Sequence, residues 1–189
     1  MKTKSSPARF ISRALLTVTL GTGALAVAHA QDPEAAQLPH SSSSHLTTLA
    51  RVDTKFLNKA ASANAEELAI ARIAVSRSDN AQVREFARNL VAAHENLDSG
   101  LGRLAANKSV TFDSLDAMKV SRKWNEKKAS QFDEDFVEEM VSAHKKAVSL
   151  YEDAAKDVKD PEVAAFARAQ LATLNDHLRR AEDLKKILE

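Results

Sequence analysis

Four long stretches of the chain repeat apolar residues at intervals of three and four, the spacing that lines one face of an α-helix. The clearest runs through Val83, Ala87, Leu90, His94, Leu97, Leu101 and Leu104. A second stripe, Phe56, Ala60, Ala63, Glu67, Ile70 and Ala74, predicts a helix from Asp53 to about Arg77. A third helix, predicted from Ser130 to about Val158, sets Phe136, Met140, Ala147, Leu150 and Ala154 beside Val137, Val141, His144, Val148 and Tyr151. The fourth continues to the C-terminus through Val163, Ala167, Gln170, Leu174, His177, Ala181, Leu184 and Leu188. Each stripe is a face by which a helix enters a shared core. Each carries one polar, metal-competent side chain: Glu67, His94, His144 and His177.

The boundaries follow from capping chemistry, in which a side-chain oxygen accepts the free N–H groups of a first helical turn. Asp53 is placed to cap the first helix, Asp79 the second with Gln82 at capping-box spacing, and Ser130 the third with Asp133 three residues on. Asp160-Pro161-Glu162 combines an N-cap, a proline at the first helical position and an acid beside the positive end of the dipole. Turns this short make the first and second helices, and the third and fourth, antiparallel neighbours. Val83-Arg84-Glu85-Phe86-Ala87-Arg88 is echoed by Val163-Ala164-Ala165-Phe166-Ala167-Arg168, as if one hairpin served twice.

Between the hairpins the second helix ends near Lys108 and the period breaks until Lys128. A short helix from Leu115 to Lys127 would set Leu115, Met118 and Trp124 on the bundle. About 20 residues can cross a bundle lengthwise, where an ordinary bundle loop has roughly 2 to 8. The expected fold is therefore all-α: a ferritin-like four-helix bundle over residues 53–189, two antiparallel hairpins joined by a long crossover. Gly100 and Gly102, the only glycines after the N-terminal leader, mark a frayed end or a close helix contact.

The leader changes how composition is read. Lys2, Lys4, Arg9 and Arg13 precede an apolar run from Ala14 to Val27, and Ala28-His29-Ala30 has the small-x-small form of a signal peptidase site. Residues 1–30 are expected to be a secretory signal cleaved after Ala30, which places the protein in the periplasm or outside the cell. No other stretch has the roughly 18 to 20 apolar residues of a membrane span. Removing the four basic residues of the leader from 27 leaves 23 against 26 acidic ones, a net −3. With both signs interspersed and few aromatics, nothing marks a nucleic-acid surface. The absence of cysteine rules out disulfides and thiolate ligands. Residues 31–52, with Pro33, Pro39 and the run Ser41 to Ser44, read as a flexible linker. His40 and His45 in it are either solvated or a metal-capture tail.

Rise per residue tests whether the four polar groups share a level. At about 1.5 Å per residue, Glu67 lies ~17 Å and His94 ~23 Å from the first turn, and His144 ~23 Å and His177 ~26 Å from the second. In a bundle of roughly 40 Å all four fall in one central slab. Three imidazoles and a carboxylate suit a single divalent transition ion such as zinc, copper, iron or manganese. A di-iron oxidase needs Glu-x-x-His pairs, and Val91, Val141 and Leu174 stand where those acids would be. The competing explanation is a buried polar network in which Glu67 pairs with a histidine and holds the helices in register, with Tyr151 able to join either arrangement.

The chain resembles the domain of unknown function 4142 family, exported bacterial proteins with a ferritin-like helical domain. The resemblance rests on Asp53-Thr54-Lys55-Phe56-Leu57, Ala65-Glu66-Glu67-Leu68, Ile70-Ala71-Arg72-Ile73-Ala74, Val83-Arg84-Glu85-Phe86-Ala87 leading to His94, Ala143-His144-Lys145-Lys146-Ala147-Val148, and Leu174 leading to His177-Leu178. Ala93 and Ala143 stand where family members often have Asp before the histidine. The resemblance implies a helical fold and export, and no activity. Taken together, these features lead us to expect an exported bundle that binds one metal ion through Glu67, His94, His144 and His177, acts in metal handling or envelope stress and does not turn over a substrate. A protein partner or self-association is compatible with this. The alternative is a structural or interaction protein whose polar core holds no metal.

Overall fold

The start of the first helix is held by the far end of the chain: Asp53 is buried, and its Oδ1 accepts the backbone N–H groups of Lys159 (2.7 Å) and Asp160 (3.2 Å). This contact belongs to a computed structural model, which describes residues 49–113 and 117–189. Its helices are α1 (Arg51–Arg77), α2 (Ala81–Asn107), α3 (Ala117–Asn125), α4 (Ala129–Asp157) and α5 (Pro161–Leu188). Among the described residues there is no strand, and no helix is long and apolar enough to cross a membrane. The expected signal, His40, His45, Leu115 and the side chain of Met118 lie outside the described residues.

Three of the four expected caps move. Helix α1 begins at Arg51, after Ala50, so Asp53 sits inside its first turn and caps the α4–α5 turn instead. Asn80, not Asp79, caps α2 by accepting from Gln82 N–H and Val83 N–H. Helix α4 begins at Ala129 without a side-chain cap, and Asp133 accepts the N–H of Asn80 across the bundle (3.2 Å). Asp160 caps α5 as expected, with Pro161 at its first position. At Asp53 and Asp133 an aspartate that could satisfy its own helix satisfies another segment's backbone. Local capping rules see only the near partner.

These contacts set the topology. The α1–α2 turn lies beside the start of α4, and the α4–α5 turn lies beside the start of α1. At that second end Lys108, just past α2, pairs with Asp160 (2.8 Å) and Glu162 (2.9 Å). Helix α2 therefore ends at one end of the bundle and α4 begins at the other, so the connection between them spans its length. Helix α3 packs on α1, its Trp124 is buried, and Arg77 at the end of α1 donates to the carbonyls of Trp124 and Lys127. The two hairpins, α1 with α2 and α4 with α5, form the closest pairs, and α1 also packs along α4. Helices α2 and α5 meet far more loosely. Gly100 is where they come near: a Cβ there would stand 3.0 Å from Phe166 Cε2.

The core is divided into two apolar blocks. One gathers Phe56, Leu57, Leu97, Leu101, Leu104, Tyr151 and small residues of α4 and α5; the other gathers Ile70, Val83, Phe86, Leu90, Trp124, Phe132, Phe136 and Met140. Glu67, His94, His144 and His177 fall between the two blocks on all four long helices and are buried.

A candidate metal centre between two apolar blocks

The helical period places each of these side chains inward, because each occupies the stripe that its apolar neighbours at three and four residues also occupy. Equal heights then bring them together. Donor atoms of His94, His144 and His177 all lie within 4.8 Å of one another. The His94 ring is 5.6 Å from those of His144 and His177, and the His144 and His177 rings are 5.2 Å apart. Relative exposure is 2% for His94, 0% for His144 and 5% for His177, so nothing but the protein itself determines their partners.

Those partners fix the ring nitrogens. His144 Nδ1–H donates to the Met140 carbonyl at 2.9 Å, leaving Nε2 with its lone pair, which faces His177 Nδ1 at 3.2 Å. His94 is gripped by Asn64, whose Nδ2 donates to the His94 carbonyl at 3.1 Å while its Oδ1 lies 2.8 Å from His94 Nδ1. With Nδ1 protonated and donating, His94 Nε2 is a bare acceptor, and it is buried without a hydrogen-bond partner. An imidazole oriented through one nitrogen and open at the other is how proteins present histidine to a metal.

Glu67 stands at the edge of this group. Its Oε2 lies 3.7 Å from His94 Nε2 and 3.4 Å from His144 Nδ1, approaching His144 on the nitrogen already engaged by Met140. That oxygen too is buried and makes no hydrogen bond. The mutually close donor set is the three histidines; Glu67 neighbours two of them. Tyr151, one heptad on from His144, turns its ring edge-on to Phe56 at 5.1 Å, and its buried hydroxyl has no hydrogen-bond partner.

Burial governs the charge states. Loss of water pushes the Glu67 carboxyl up from 4.5 to about 8, reinforced by Glu66 and Glu139. The same loss pushes His94 down from 6.5 to about 3, helped by His144 and His177. It holds His144 at about 4, with His177 adding to the shift and the Met140 carbonyl opposing it. His177 also falls to about 4, a shift opposed by Asp176 and reinforced by Arg180. At neutral pH the layer is thus three neutral imidazoles beside a protonated acid. Neutral imidazole is the form that binds a metal ion.

Bond lengths of about 2.0–2.1 Å from metal to imidazole nitrogen put donors roughly 3.3–3.6 Å apart. The His144–His177 pair, at 3.2 Å, is within about 0.1 Å of that spacing. The third donor, on His94, lies within 4.8 Å of the other two, so it would have to move inward for all three to reach one ion. Asn64 is the residue that the sequence reading missed. The apolar stripe points to Ala63, but the buried position is Asn64, three residues before Glu67 on the same face. A second polar residue at that interval was the available signal.

Known folds place the chain in context. The structure is similar to a DUF305 fragment from Deinococcus radiodurans, at 17% identity and a TM-score of 0.63 over 73% of this chain and 97% of that one. It is also similar to CopM in the Cu(I)-bound form, at 14% identity and a TM-score of 0.60 over 72% of this chain and 96% of that one. Identities this low establish a shared helical fold. No match was found among curated proteins. The sequence profile of one family covers residues 35–184, most of the chain, and so this protein belongs to the family Domain of unknown function (DUF4142).

Proposed function

We propose that the protein is exported and binds one first-row transition metal ion between its apolar blocks, through His94, His144 and His177 with Glu67 as a fourth ligand, in metal handling or envelope stress. The observation that carries this reading is the trio of neutral, buried imidazoles with donors within 4.8 Å, one of them a lone pair with no partner. Leaving such a group unsatisfied costs about 1–3 kcal/mol, a cost that coordination removes. Three imidazoles without thiolate suit copper or zinc, and the fold shared with CopM in its Cu(I)-bound form favours copper. Binding a cation would draw the proton off Glu67, and the carboxylate would then offset the ion's charge in a site that water cannot screen.

The test is equilibrium dialysis of the purified, untagged protein against Cu and Zn, followed by elemental analysis. One ion per chain is expected, with binding abolished in His94→Ala plus His144→Ala. Undiminished binding in that double variant, or none in the wild type, removes the proposal. The His144–His177 hydrogen bond and the Asn64 bridge also fit a polar network that keeps four helices in register without metal. Under that second reading the melting temperature ignores both chelator and added metal. A ligand specific to the native state instead stabilises it by about 2.7 kcal/mol at a hundred times its Kd.

A further inference from the structure

Gln170 lies on the apolar stripe of α5, yet it is only half-buried, because the groove between α2 and α5 opens beside it. This groove encloses about 540 Å³ and is lined in part by Asn96, Gly100, Arg103, Asn107, Phe166 and Gln170. Beside it lies a much smaller pocket of about 10 Å³ whose walls include His94, Leu174 and His177. Ala93, Leu97, Gln170 and Thr173 line both, so the two are adjacent and separated only by these side chains. The grooves between α1 and α4, and beside Lys185, include none of the three histidines in their walls. His177, the most exposed of the three at 5%, stands on the smaller pocket, while His144 at 0% is not part of its lining.

Resting on the metal-binding reading above, we propose that the ion reaches the histidines through the α2–α5 seam, with Gln170 and Thr173 forming the narrow point. An inner chamber near 10 Å³ holds about one water molecule. A hydrated cation therefore cannot pass whole, and must exchange most of its water for protein oxygens on the way. The Gln170 amide carbonyl and the Thr173 hydroxyl are acceptors of that kind, on the wall shared by groove and chamber. Ala93, opposite them on α2, is small enough to leave the passage open.

The experiment uses the full chain, stripped of metal with chelator and mixed rapidly with Co²⁺, whose visible absorption reports imidazole coordination. Ala93→Phe and Thr173→Phe are expected to slow association about ten-fold or more, and release into excess chelator by a similar factor, so that affinity stays nearly constant. Gln170→Leu, which removes the oxygen without filling the passage, slows both several-fold. Asp153→Phe, in the α1–α4 groove, binds at the wild-type rate. Wild-type rates in the two Phe variants with unchanged melting temperatures overturn the route while leaving the site intact, as does an affinity loss that comes from faster release with no change in the association rate. Should the Phe variants fail to fold, the Gln170→Leu rate decides. A wild-type chain that takes up no Co²⁺, Cu or Zn removes the site and the route together.

Discussion

The two apolar blocks on either side of the histidine layer are built differently. The block beside the α1–α2 turn is aromatic: Phe132 and Phe136 stack at 6.4 Å, and Trp124 and Phe86 meet them edge-on. The block beside the α4–α5 turn has one aromatic pair, Phe56 with Tyr151, among Ala60, Ala147, Ala154, Ala164 and Ala167. Large rings fill the first block, whereas the α2–α5 groove, with Gly100 and Ala93 in its walls, opens on the side of the second. The lesson is a division of labour within one set of helices. Oily, pH-independent packing is concentrated at one end, an open groove at the other, and titratable groups between them.

Acid should produce the largest separation between these layers. The folded-state pKa of each histidine lies below its ordinary 6.5, so the unfolded chain binds protons that the native one refuses. Their contribution is complete above pH 6.5 and is lost as pH falls toward about 3 to 4. Glu67 has the opposite sign: its pKa is raised from 4.5 to about 8, so its contribution is present below pH 4.5 and fades as pH rises to about 8. Between those limits three histidines outweigh one acid. Melts of metal-free protein should peak near neutrality, with a steep acid limb and a shallow alkaline one that Glu67→Gln removes. A flat curve from pH 4 to 9 would mean that the layer is wet and unperturbed.

A smaller effect separates the aromatic block from the layer. Phe136→Ala empties the centre of the ring cluster and should cost about 3–5 kcal/mol in denaturant titrations. That loss should be the same at pH 5 and pH 8 and in the presence or absence of metal, because no titratable group is removed. A pH-dependent loss would show that the blocks and the layer are coupled. Smaller still, Asn64→Ala leaves the ring N–H and carbonyl of His94 without their partner, for about 1–3 kcal/mol of native stability. Because it also frees the ring, metal affinity measured by dialysis should fall roughly 10–100-fold. Equal affinity with and without Asn64 would mean that packing alone aims His94.

The positions of the four polar groups were legible because helical rise is constant: residues that are similar distances from opposite turns meet at the middle of a bundle. Glu67, His94, His144 and His177 are accordingly all buried in one layer. Less legible was the local detail. Asp53 reads as the cap of its own helix and Asp133 as the capping-box partner of Ser130, and both serve distant backbone instead. The short helix of the crossover was expected from 115 to 127 and spans Ala117–Asn125, with Trp124 buried as expected.

What the chain determined unaided was the number of long helices, their amphipathic faces and the height of every polar residue on them, since 3.6 residues per turn and 1.5 Å per residue hold whatever surrounds them. Which ring nitrogen is free, that Asn64 and not Ala63 turns inward, and that α2 and α5 part far enough to leave a groove near His177 were decided only by the tertiary structure. Those depend on hydrogen bonds and gaps between helices that are distant in sequence, and no spacing along one helix encodes the shape of its neighbour.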